Sequence, residues 1–122
     1  MTDLVAFLRA QLDEDEQAAR ACPGDGVWTA RDLGVYGPDL SGEVRAQAAR
    51  QDPARTLREV EAARAVLDLY EEAGYRMDRA MRDADTVAYQ EARVEQRTLR
   101  RVLLREATVH QAHPAYLEEW RP

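Results

Sequence analysis

A chain of 122 residues is long enough to bury a real core and too short for two ordinary domains. Its 45% hydrophobic and 33% charged content exclude a disordered chain, and its net charge of −6 weighs against general nucleic-acid binding. A single cysteine, Cys22, excludes an internal disulfide and any paired-cysteine metal motif.

All 17 basic residues are Arg, and Lys, Asn and Ile are absent. That bias reads as the codon habit of a GC-rich genome, not as a physical signal. The chain reaches Arg9 before any long apolar run, so neither a signal peptide nor a membrane span is expected. The reading is a cytoplasmic protein with no membrane partner.

Residues 3–21 predict a helix with Thr2 as N-cap, because Leu4, Val5, Phe7, Leu8, Leu12 and Ala19 share one face. Residues 22–42 break the pattern with Pro23, Pro38 and five of the six glycines. Within them, Val27-Trp-Thr and Leu33-Gly-Val-Tyr36 suggest a short β-hairpin in 27–36, with an irregular loop pinned by Trp28 and Tyr36 as the alternative. A short Ala-rich helix follows at 42–50. Asp52-Pro53 then starts a central helix, with Asp as N-cap and Pro in the first turn. That helix is expected to end near residue 73, with Gly74 just beyond it.

Residues 75–107 form the longest helical pattern, with Met77, Met81, Ala84, Ala88, Ala92, Leu99, Val102 and Leu103 on one face. One uninterrupted helix would be roughly 45–50 Å long. It either breaks near Asp85 or projects and pairs with a second chain, and the continuous register favours projection and a homodimer. The tail carries Pro114, Tyr116 and Trp120. It reads as a short helix that anchors residues 108–122 on the body by burying both rings at the junction of the first and central helices. The architecture expected is therefore a single all-α domain, or nearly so: a small bundle of three main helices, one of them long and in the C-terminal half.

Three segments taken together resemble a known pattern: Leu4-Val-Ala-Phe-Leu-Arg-Ala-Gln-Leu-Asp-Glu-Asp-Glu16, Asp52-Pro-Ala-Arg-Thr-Leu-Arg-Glu-Val-Glu61, and His113-Pro-Ala-Tyr-Leu-Glu-Glu-Trp120. In that order they are similar to a domain-of-unknown-function family of actinobacteria and their phages. The resemblance implies membership and a mobile-element context, and it brings no activity with it. Where the family pattern often has histidines, this chain has Gln47 and Gln51, and the cysteine-rich insert of some relatives is missing.

Four charged residues fall on apolar helix faces: Asp15, Arg55, Glu59 and Glu95. Burial of a charge requires a partner, so an Asp15–Arg55 pair extended by Glu59 or Glu95 is expected to fix helix register. The functional alternative is a small acidic pocket for a cation or a basic ligand. Arg93, Arg97, Arg100 and Arg101, with Arg105, form a basic face that suits phosphate or carboxylate, and a solvated face is the plainer reading. Trp28, Tyr36, Tyr116 and Trp120 are aromatics outside the main helices, read as core caps or as anchors for a partner.

His110 and His113 offer two ligands at most, so no metal site and no cofactor are expected. No nucleophile or phosphate-binding loop is recognisable, and no residue is assigned a catalytic role. The function expected is a non-enzymatic protein–protein interaction or accessory module that self-associates or binds an unknown protein. A nucleic-acid accessory protein using the arginine face is the alternative. An enzyme built around Asp15, Glu59 and Glu95 is a weaker one.

Overall fold

The computed structural model describes residues 2–122, apart from the side chain of Thr2, so the capping role expected of Thr2 lies outside the described residues. Five α-helices follow in order: α1 (Thr2–Ala21), α2 (Ala30–Tyr36), α3 (Gly42–Arg50), α4 (Pro53–Arg82) and α5 (Thr86–Ala107). Two single-turn 3-10 helices end the chain, Thr108–His110 and Glu118–Trp120. No strand occurs among the described residues, and the fold is all-α. The chain divides into two compact units, one of Gln11–Ala62 and one of Met1–Ala10 with Ala63–Pro122.

In the first unit the expected hairpin over 27–36 is replaced by α2, and the cause is local. Thr29 is an N-cap whose hydroxyl accepts from the Asp32 N–H at 3.1 Å, while the Asp32 carboxylate accepts from the Thr29 N–H at 3.2 Å. That reciprocal capping box satisfies two orphan donors of a helix start and outweighs the β-tendency of Val27, Trp28 and Val35. At the other end the Gly37 N–H closes the helix on the Leu33 carbonyl at 2.8 Å. Helix α2 then lies against α3. Arg45 of α3 crosses Gly34, where a side chain would meet its guanidinium, and donates to the Pro38 carbonyl.

Among the described residues the buried apolar side chains of this unit are Ala19, Pro53 and Val60. Asp52 is buried and caps α4, its carboxylate accepting from the Arg55 N–H at 2.8 Å and the Trp28 N–H at 3.1 Å. The same loop is tied a second time, by the Ala54 N–H on the Gly26 carbonyl at 2.9 Å. Gly26 has φ +77° and lies against Pro53 and Ala54, so any side chain there would be both strained and crowded.

In the second unit the core is Leu4, Phe7 and Leu8 of α1, Leu67, Tyr70, Ala73 and Ala80 of α4, Ala92, Leu103 and Ala107 of α5, and Trp120. Two sequence expectations fail here. Gly74 does not end the central helix, which runs on to Arg82, and residues 75–107 are not one helix. The break lies at Asp83-Ala84-Asp85.

Ala84 adopts φ +53°, the Asp85 N–H reaches back to the Ala80 carbonyl at 2.9 Å, and the Ala84 N–H bonds the Met81 carbonyl at 3.2 Å. These are the paired bonds of a Schellman stop, with alanine where glycine is usual. Asp85 then caps α5 by accepting from the Ala88 N–H at 3.1 Å. The apolar register that made the segment look continuous is interrupted there, and Met81 and Val102 end up exposed.

This stop makes a signed pair of predictions. Ala84→Gly removes the left-handed strain and should stabilise the protein by up to about 1 kcal/mol. Asp85→Ala removes a cap and should cost about 1 kcal/mol. Urea unfolding followed by circular dichroism checks both, and equal or same-sign shifts would count against the assigned turn.

Candidate functional site

Beyond the turn, α5 returns antiparallel to the C-terminal half of α4, with Gly74 facing Gln96 and Arg76 bridged to Glu95 at 2.7 Å. A groove of about 430 Å³ opens there, within the usual range of ligand pockets. Its lining includes Val5 of α1, Tyr70, Gly74, Tyr75 and Met77 of α4, and Gln96 of α5. Glu71 and Asp78 add two carboxylates to the same wall.

Gly74 explains much of this shape. Glycine in the middle of a helix costs roughly 0.5–1 kcal/mol against alanine, so its position calls for a reason. A Cβ at this site would come within 2.9 Å of the Gln96 amide nitrogen, and without one the groove floor stays open. Burial pushes the Tyr70 phenol upward in pKa, with Arg100 opposing. The two carboxylates differ. Glu71 and Asp68 together hold Arg9, keeping its guanidinium charged, with Glu71 the stronger partner. Asp78 makes no ion pair among the described residues and sits three positions after Tyr75, which is 64% exposed. A carboxylate and a ring face three residues apart on one helix suit a guanidinium or ammonium group.

A second aromatic assembly surrounds Phe7. His110, His113, Tyr116 and Trp120 stand at 6.0, 5.5, 6.3 and 5.1 Å from its ring centre, most of them edge-on. Tyr116 and Trp120 also meet at 5.7 Å. The expected helix from Pro114 is absent. Instead, His113 Nδ1 accepts the Ala115 N–H at 2.9 Å, and the one helical turn comes later, at Glu118–Trp120. Proline after His113 starts a turn here, not a helix. The Tyr116 hydroxyl is buried without a hydrogen-bond partner among the described residues.

The inward charged cluster does not assemble. Asp15 is exposed, because the burial stripe of α1 rotates onto Leu12, Glu16 and Ala19. Arg55 bonds Glu59 at 2.7 Å one helical turn away and donates to the Arg50 carbonyl. Glu95 is taken by Arg76. The expected Asp15–Arg55 pair is therefore replaced by two bridges on partly exposed surface, one within α4 and one between α4 and α5.

Of the named arginines, Arg93, Arg97 and Arg101 are exposed, as is Arg105, whereas Arg100 is half-buried. Of the loop and tail aromatics, Trp120 is buried, Trp28 and Tyr116 are half-buried, and Tyr36 is 87% exposed. No group of acids, histidines or cysteine among the described residues is arranged to hold a metal ion. Sequence reasoning missed the groove residues Val5, Tyr75, Asp78 and Gln96. The signal available for them was Gly74 inside an otherwise strong helical pattern.

One titration is tied to this unit. Glu106 is half-buried, and burial raises its carboxyl pKa. A carboxyl whose folded pKa lies above its unfolded value destabilises the fold while it is charged, and that penalty fades as pH falls through the folded value. Glu106→Gln should therefore raise Tm by a few degrees at pH 7. The gain should shrink as pH approaches the ordinary Glu value of about 4.3. Melting curves at stepped pH check this, and a gain that grows on acidification would reverse the assignment.

No helix among the described residues is long and apolar enough to cross a membrane. Neither the curated proteins nor the solved structures contain a match to this chain. The model of a family described as Family of unknown function (DUF6221) matches residues 1–122, and the chain belongs to that family.

Proposed function

We propose that this protein is a non-enzymatic interaction module that receives a basic, amphipathic segment of a partner protein in the groove between α1, α4 and α5. The observation that carries this reading is the pairing of the unbridged Asp78 carboxylate with the exposed Tyr75 ring beside an apolar floor of Val5, Gly74 and Met77. Apolar side chains of the segment would occupy the floor, and an arginine or lysine would lie against Tyr75 and Asp78. The groove's chemistry favours binding over turnover. One of its two acids, Glu71, is already neutralised by Arg9, and apart from Asp78 the remaining lining is aliphatic, aromatic or amide.

Self-association through a projecting helix over 75–107 loses its geometric basis at the Ala84 turn. A mobile-element setting is compatible with this role and rests on the sequence resemblance alone.

The test is a titration of isotope-labelled protein with a short leucine–arginine amphipathic peptide. Shifts should concentrate on the Gly74 N–H and the Gln96 side-chain amide, and a leucine–glutamate peptide should fail to produce them. Gly74→Leu, which fills the floor, should weaken binding at least tenfold. Shifts spread over other surfaces, or none at all, would overturn the proposal. So would a dimeric light-scattering mass that falls to the monomer in Gly74→Leu, since a second copy would then be the occupant.

A further inference from the structure

Four arginines of α5, Arg93, Arg97, Arg101 and Arg105, recur at four-residue spacing, and all four are exposed. Residues four apart are neighbours on a helix, so their side chains form one continuous ridge about 18 Å long, inclined roughly 26° to the axis. None of the four has an ion-pair partner among the described residues. Nearby acids on the helix are otherwise committed: Glu95 to Arg76, and Glu106 turned inward and half-buried. Glu91 is the one exposed acid of α5. An acidic protein thus presents a concentrated strip of uncompensated positive charge.

We infer that this ridge is a docking surface for the phosphate backbone of duplex DNA. Guanidinium forks bind phosphate in bidentate fashion, and a row of them fits a linear polyanion better than a single anion. The exposed residues between the arginines are Val94, Thr98 and Val102, with no aromatic ring on which an unpaired base could stack, which favours a duplex over a single strand.

A helix about 10–12 Å across matches the B-form major groove, whereas the A-form groove of duplex RNA is too narrow to admit one. A lipid surface fits less well, because interfacial helices insert Trp, Phe or Leu and this face carries only two valines and a threonine between its charges. The inference is independent of the groove proposed above, whose residues lie on α1, α4 and the inward side of α5.

Fluorescence anisotropy with a labelled mixed-sequence DNA duplex tests it. The intact protein should bind at 50 mM salt and lose roughly a hundredfold in affinity by 200 mM, as expected when about four phosphates are neutralised. Arg97→Glu with Arg101→Glu should abolish the signal while leaving the helical circular dichroism unchanged, and Arg79→Glu, an exposed arginine of α4, should leave binding intact. Should the double variant lose its fold, Arg93→Ala and Arg105→Ala, each expected to weaken binding severalfold, replace it. Absence of binding at 50 mM salt, or unchanged affinity in the ridge variants, would overturn the inference. So would tighter binding to duplex RNA, polyglutamate or anionic vesicles than to DNA.

Discussion

The second unit depends on one ring. Phe7 is the only phenylalanine in the chain, and it stands within 5.1–6.3 Å of four rings from residues more than one hundred positions away. Loop closure over such a distance is entropically costly, and a buried aromatic cluster is among the few local contacts large enough to offset it. Trp120, held against Phe7, and Leu4, one turn before it on α1, are both buried in this unit. The C-terminal segment has almost no regular structure of its own, so these ring contacts and the His113–Ala115 turn specify its path.

Much of the helical frame was legible in the sequence because its signals are local. Asp52 and Pro53 announce α4, and the structure adds only that the carboxylate also ties down Trp28. Leu4, Phe7 and Leu8 mark the buried stripe of α1 by spacing alone. What failed was punctuation. Gly74 looks like a stop because glycine usually is one, whereas the real stop uses Ala84 in a left-handed conformation that no propensity rule assigns to alanine. In 27–36, β-branched and aromatic residues outvoted a Thr29–Asp32 capping box that was present in the sequence and is decisive in the structure.

The site was less legible, for a physical reason. A wheel shows which residues share a face, and it cannot show whether a partner element covers that face at a given turn. Asp15 belongs to the apolar stripe by angle and is nevertheless solvated, while Glu59 and Glu95 found arginines on the surface at a distance of one turn or one neighbouring helix. The groove, by contrast, is a product of tertiary pairing. Val5, Tyr75 and Gln96 come from three helices, and only the α4–α5 turn brings the last two together. For the arginines of α5 the one correction to their exposure is Arg100, which is half-buried, whereas Arg93, Arg97, Arg101 and Arg105 are exposed.

The central claim is that Phe7 organises the C-terminal segment through direct ring contact, and a double-mutant cycle between Phe7 and Trp120 addresses it most directly. Unfolding free energies of the parent, Phe7→Leu, Trp120→Ala and the double variant yield their coupling energy. The account predicts a coupling of about 1 kcal/mol, in the range of buried aromatic pairs beyond simple area burial. Effects that add within about 0.3 kcal/mol would mean the two rings act independently, and the clamp would not be what holds the tail.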